Sequence, residues 1–175
     1  MGEHICFRRN ERLATVNPHW RGNPVVRGKF VNRQHRFRPG MGSVLKWRLS
    51  PNPQRKEKKS VKWNPKLNYL RSLDGVVGNS LIWLGHNSFF LQLARKRIMF
   101  DPVFGDIPFV KRQSDFPANP DIFTDIDYLL ISHDHFDHLD KQSVARLVKN
   151  NPGMKLFCGL GTGELIKGWF PELEL

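Results

Sequence analysis

Six residues, His133-Asp134-His135-Phe136-Asp137-His138, follow Ser132 and the apolar run 126–131. The pattern H-x-H-x-D-H sets four metal-ligand side chains within six positions. Imidazole and carboxylate together are the donor set of a borderline-soft divalent ion such as zinc. Such a set constrains the backbone. In an extended segment, residues two apart point the same way, so His133, His135 and Asp137 can converge on one side. His138, next to Asp137, joins them only where the chain turns. The pattern therefore predicts a strand that ends in a tight ligand loop. Chance production of these residues at this spacing is rare, about one chain in a thousand at ordinary frequencies. The bland reading is a solvated polar loop before a helix capped by Asp140, and Asp140 serves as that cap in either case.

With 175 residues the chain has room for one domain with a real core. No apolar run approaches the roughly 20 residues needed to cross a bilayer, and the first residues lack the apolar stretch of a signal peptide. Two cysteines, Cys6 and Cys158, make no disulfide framework, so a cytoplasmic, reducing setting is expected. Charge is unevenly placed. Residues 1–75 hold 18 Lys and Arg against 4 Asp and Glu, whereas the remaining residues hold 10 against 12. A basic segment of this kind suits anionic lipid head groups, nucleic acid or phosphorylated substrates, and equally a solvated extension.

Residues 1–75 lack sustained periodicity and are punctuated by proline. The run 55–59 reads as an exposed loop, yet Trp20, Phe30, Phe37, Trp47 and Trp63 are too many large aromatics for a disordered tail. The segment is expected to be an aromatic-anchored arm, with a domain over 76–175. In that domain 81–84, 88–93 and 97–100 read as a strand meander. Residues 126–131 form a short, two-faced apolar strand, and Val144, Leu147 and Val148 fall at helical spacing over 141–150. A strand over 155–158, a glycine-rich turn and a short helix over 164–169 follow. The expected class is α/β, a mixed β-sheet with flanking helices.

The ligand motif, set after a buried strand behind a meander, resembles the metallo-β-lactamase superfamily. Ile82-Trp83-Leu84-Gly85-His86-Asn87-Ser88 is similar to the W-[LI]-G-H-[AN]-[ST] opening of one branch. Phe100-Asp101-Pro102-Val103-Phe104 is similar to its D-P-[VI]-[FL] strand end, and residues 132–140 to its S-H-x-H-[YF]-D-H-L-D loop. That branch holds N-acyl-phosphatidylethanolamine phospholipase D and the ascorbate-6-phosphate lactonases. The resemblance covers roughly residues 80–175, and the basic arm looks more loosely like the preamble of the phospholipase D-type members.

The resemblance implies an αββα sandwich with one or two zinc ions. By motif position, His133 and His135 would bind a first metal, and Asp137 and His138 a second. Asp137 would also orient the attacking water. Asp101 would orient the ligand loop by hydrogen bonds, and His86 would lie near the site as a buried or a functional histidine. His4, His19 and His35 fall outside any motif and read as surface residues. The family takes further His and Asp ligands from strands that lie beyond residue 175. By that comparison the chain corresponds to about the first half of the sandwich, and the apolar face of its meander calls for another chain to cover it, as in an oligomer.

The implied reaction is hydrolysis, of an N-acylated phospholipid at an anionic membrane surface or of a lactone-like small molecule. Nucleic-acid processing ranks lower, because the W-L-G-H and D-P-V-F segments point to the other branch. The non-enzyme expectation is a truncated, silent copy.

Overall fold

Frequent Pro and Gly in the first sixty residues leave room only for short elements. The computed structural model describes residues 4–12, 17–32, 40–61, 66–108, 111–112 and 114–174, and divides into two compact units, Met1–Lys62 and Trp63–Leu175. His35, Phe37 and Trp63 lie outside the described residues.

In the first unit, β1 (Cys6–Arg8), β2 (Asn23–Val26) and β3 (Lys29–Phe30) form an antiparallel sheet in that order. Pro24, Val25 and Val26 are its buried residues, and the Arg21 guanidinium lies 4.7 Å from the Phe7 ring centroid. Gly22, at φ +110°, lets the chain pass Arg8, whose carbonyl oxygen would sit 2.6 Å from any Cβ there. Two helices follow, α1 (Met41–Leu49) and α2 (Arg55–Ser60), neither burying a residue. The second corrects the loop expected over 55–59. Arg, Lys and Glu are good helix formers, and a fully solvated helix needs no apolar stripe to reveal it.

The second unit is built on β4 (Ser80–Gly85), β5 (Ser88–Leu93), β6 (Lys96–Phe100), β7 (Tyr128–Ile131) and β8 (Lys155–Cys158), hydrogen-bonded in that order. The first three are the expected antiparallel meander, while β7 pairs parallel to β6 and to β8. Parallel neighbours need crossovers. A long loop with a 3-10 turn (Pro120–Ile122) supplies the first, and α3 (Lys141–Asn150) the second. The helix starts where expected: Asp140 Oδ2 accepts from the Ser143 amide at 2.9 Å and from its hydroxyl at 2.6 Å. The last helix, α4 (Leu160–Trp169), begins earlier than the 164–169 expected, so the glycine-rich stretch read as a turn is its first turn. Leu70 and Leu73, on the arm side of the compositional break at residue 75, belong to this second unit. Leu70 bridges to Ala118, and Leu73 is buried in its core.

Alternation along each strand sends Leu84, Phe90, Met99, Leu129 and Leu156 to one face, where Val144, Leu147 and Ile166 from the helices cover them. Burial of each such side chain is worth about 1.5–3 kcal/mol relative to exposure. Phe90, Phe104 and Phe123 extend this core towards the crossover loop. On the opposite face Leu81, Trp83 and Phe157 remain exposed. The mixed sheet with flanking helices is the α/β class expected. Among the described residues no helix is long and apolar enough to cross a membrane.

Candidate metal centre

The ligand loop leaves β7 at Ile131 and closes almost at once. His135 O accepts from the amides of His138 and Leu139, at 2.9 and 2.8 Å. This is the turn that His138 requires in order to join its neighbours. His133 Nε2 stands 3.0 Å from His135 Nδ1, and Asp137 Oδ2 stands 3.5 Å from His138 Nε2. Two donors each about 2.1 Å from one tetrahedral ion lie about 3.4 Å apart. The loop therefore presents two donor pairs at chelating distance.

Asp101 holds this arrangement from below. It ends β6 in the left-handed region, at φ +41°, and is buried. Its Oδ1 accepts from the Ser132 amide at 2.7 Å, and its Oδ2 from the Ser132 hydroxyl at 2.7 Å. The same Oδ2 lies 2.8 Å from His138 Nδ1. A carboxylate can only accept, so His138 carries its proton on Nδ1 and turns the Nε2 lone pair outward. Ser132 passes the same instruction on. With its proton committed to Asp101, its Oγ accepts from His133 Nδ1 at 2.9 Å, which leaves the His133 Nε2 lone pair facing His135. One buried carboxylate thus sets the tautomers of two histidines, as the anionic partner of a metal-bound imidazole does.

Asn87 reaches the same place from the β4–β5 turn. Its Nδ2 donates to Asp137 Oδ2 at 3.2 Å and lies 3.1 Å from His138 Nε2. Because His138 Nε2 is the acceptor nitrogen, the two amide hydrogens point at the two lone pairs a cation would take. Asn87 and Ser132 lie inside the motifs given above, with no role expected for either. The H-N-S and S-H spellings were the only signal.

His86 stands apart from the donor pairs. It takes the left-handed conformation, φ +50°, and its carbonyl accepts from Trp83 Nε1 at 3.0 Å. Its Nε2 is buried without a hydrogen-bond partner among the described residues. Burial, reinforced by the Arg112 charge, pushes the imidazole pKa down against the opposing pull of Asp137 and Asp106. Arg112, which sequence reasoning missed, ties the Trp83–His86 turn to the segment after Asp101 by donating to Leu84 O at 2.6 Å and Val103 O at 3.1 Å. His4 and His19 are exposed. An open cleft of about 770 Å³ beside the start of α3 is lined by Phe104, Asp106, Asp140 and Arg146, and by none of the four loop ligands.

The donor chemistry fits a divalent cation in kind but not in number. Among the described residues no group of three or more His, Cys, Asp and Glu side chains is placed to hold a metal. Each pair supplies two donors where zinc takes about four.

Residues 96–175 match the model of the beta-lactamase superfamily domain. The chain is 28% identical to the N-acyl-phosphatidylethanolamine-hydrolyzing phospholipase D 1 of Caenorhabditis elegans over 160 residues, covering 82% of this chain and 45% of that one. It is 36% identical to a metal-dependent hydrolase of Sulfolobus acidocaldarius over 79 residues, 45% of this chain and 31% of the relative. The chain thus spans less than half the length of these relatives. Among solved structures, CmlA, a diiron beta-hydroxylase from Streptomyces venezuelae, aligns with a TM-score of 0.38 at 20% identity over 72% of this chain and 24% of that one.

Proposed function

We propose that this chain, which belongs to the metallo-β-lactamase superfamily of metal-dependent hydrolases through residues 96–175, provides the zinc-binding loop of a phosphodiesterase acting on N-acylated phospholipid. The observation that carries the metal assignment is the pairing of donor atoms, His133 Nε2 with His135 Nδ1 and Asp137 Oδ2 with His138 Nε2. When bound, a divalent cation supplies Lewis acidity, making a nucleophile of water near neutral pH and offsetting charge on a phosphoryl oxygen. The chain's own groups would orient the atoms that hold it. Asp101 and Ser132 keep the Nε2 lone pairs of His138 and His133 turned outward, and Asp137 offers a carboxylate oxygen to orient the attacking water.

Two features favour a lipid substrate over a soluble lactone. The likeness to the phospholipase covers 82% of the chain and so extends into the first unit, whereas the likeness to the Sulfolobus hydrolase covers 45%. In the first unit, α1 exposes Val44, Leu45, Trp47 and Leu49 beside Lys46 and Arg48, a combination suited to an anionic membrane surface.

The purified chain should take up zinc weakly and lose it on dialysis. It should sediment with vesicles containing anionic lipid. Turnover of N-acylated phosphatidylethanolamine in those vesicles supports the reading; turnover of a soluble sugar-phosphate lactone alone removes the lipid substrate. Zinc uptake unchanged after His133→Ala and His135→Ala would remove the ligand assignment.

A further inference from the structure

We propose that the uncovered face of the β4–β8 sheet is a homodimer interface, closed by the same face of a second copy about a two-fold axis. The inference is independent of the metal-centre reading and starts from strand register. Leu81, Leu91, Ile98 and Tyr128 are register partners, strand by strand, in a row that ends at Lys155. Two residues along each strand, Trp83, Phe89, Phe100, Leu130 and Phe157 form a second row on the same side. Phe90, Met99, Leu129 and Leu156 lie between the rows and point the other way, into the core.

Apart from Lys155, both rows are apolar or aromatic, and they run unbroken across all five strands. At about 4.8 Å between strands and about 3.3 Å per residue, the face measures roughly 24 by 17 Å, about 400 Å² of flat footprint. A contiguous apolar patch of that size on a soluble protein marks a contact site. The outer strands are the barest, with Leu81 66%, Trp83 54% and Phe157 57% exposed. Two such faces in contact remove about 800 Å² of footprint from water. The relief of side chains standing off a pleated sheet carries the total to about 1,200 Å², the lower end for a specific interface.

Charge selects the occupant. The chain carries a net charge of +12, yet this face holds one cation, Lys155, whose Nζ lies 3.2 Å from Glu174 Oε1. Lys96, with its ammonium 6.0 Å from the Tyr128 ring centroid, is likewise paired, with Asp127. An anionic partner gains little Coulombic attraction from such a surface. A second copy meets no uncompensated like charge there, because each ammonium brings its own carboxylate. Symmetry fits as well. β6 is the middle strand of five, so full overlap lays it across its own counterpart near the axis, and Ile98 and Phe100 are covered from both copies at once. Sheets packed in this way lie about 10 Å apart, with strands aligned to within about 30°.

The test is sedimentation equilibrium of the full chain over the micromolar range. The wild type should level off at twice the chain mass of 20.4 kDa, and high salt, which screens charge contacts, should not weaken the association. Leu81→Lys and Phe157→Lys should each raise the dissociation constant at least about a hundredfold, since each change removes apolar burial from both copies. Both side chains are exposed, so the circular dichroism of these variants should match wild type. Trp47→Lys, on the exposed α1, is the control and should stay within twofold. Hydroxyl-radical footprinting needs no variant: labelling of Trp83 and Phe157 should rise on dilution while that of Trp47 holds constant. A chain that stays monomeric, a dimer indifferent to both sheet-face variants, or a dimer lost with Trp47→Lys overturns the proposal. So does association without a plateau at two copies, which a closed two-fold contact forbids. Protection of Trp83 and Phe157 in a monomer only on adding anionic vesicles or RNA gives the face to that partner and equally overturns the dimer.

Discussion

The carboxylate of Asp101 lies 2.8 Å from Nδ1 of His138, across 37 positions of sequence. That contact joins the end of β6 to the turn of the ligand loop and decides which imidazole nitrogen faces outward. Through the Ser132 hydroxyl, 2.7 Å from the same oxygen, the decision reaches His133 as well. The loop's donor geometry is therefore held by a residue that contributes no donor atom.

Replacing Asp101 by Asn should break this control. An amide offers a donor where Ser132 Oγ and His138 Nδ1 both need an acceptor, so His138 gains from moving its proton to Nε2. Zinc affinity should drop by about 10–100-fold, the usual effect of losing the partner of a ligating histidine. Nitrogen NMR shifts should report the tautomer change in the metal-free chain. An unchanged His138 tautomer in that variant would refute the assignment.

Ser88 gives a stability prediction. It is fully buried, and its hydroxyl joins Asp101 O to the Val103 amide at 2.7 and 2.9 Å. Ser88→Ala leaves a buried acceptor and a buried donor unpaired, each costing about 1–3 kcal/mol before relaxation. Urea unfolding should show a loss of at least about 1 kcal/mol with an unchanged denaturant slope.

Much of the second unit was legible in the sequence because its signals are local. The meander announces itself by alternation, and α3 by the spacing of Val144, Leu147 and Val148 behind Asp140. The ligand loop spells its own chemistry. The groups that organise it did not stand out, because Asn87, Ser132 and Arg112 act through contacts across 50, 31 and 28 positions. The short elements of the first unit were hidden for a different reason. A three-residue strand such as β1 and a wholly solvated helix such as α2 bury too little to leave a periodic pattern.

The Lys96–Asp127 contact predicts a pH profile. Burial, the largest single influence on Asp127, raises its pKa. The Lys96 hydrogen bond, the Arg97 amide at 2.9 Å and both positive charges together outweigh burial, so the net shift is downward from 3.8. The folded chain thus binds this proton less readily than the unfolded chain. Stability from Asp127 is complete above pH 3.8 and falls as acid titrates it below that value. Lys96, held above its ordinary 10.5 by the same contact, adds stability that is complete below pH 10.5 and fades as pH rises through the raised value. Asp127→Asn should flatten both limbs of a thermal-melt profile against pH. Limbs of unchanged steepness would assign them to other groups.

Gly85 and Arg112 form a coupled pair whose energetics can be separated. Gly85 has φ +92°, and a Cβ placed there would meet the Arg112 Nη2 in steric overlap. The guanidinium has little freedom to retreat, since it donates to Leu84 O and Val103 O on either side of the turn. Gly85→Ala therefore carries two costs, a left-handed backbone for a side chain that disfavours it, about 1 kcal/mol, and the displacement of Arg112. Arg112→Ala alone loses two hydrogen bonds from a charged donor, about 1.5–3 kcal/mol each at most. In the double variant the collision is gone, so only the backbone cost adds to the loss of Arg112. The two single destabilisations should then sum to more than the double by about 1 kcal/mol or more in a double-mutant cycle measured by urea unfolding. Strict additivity would mean that backbone conformation alone, and not the approach of Arg112, makes glycine necessary at this turn.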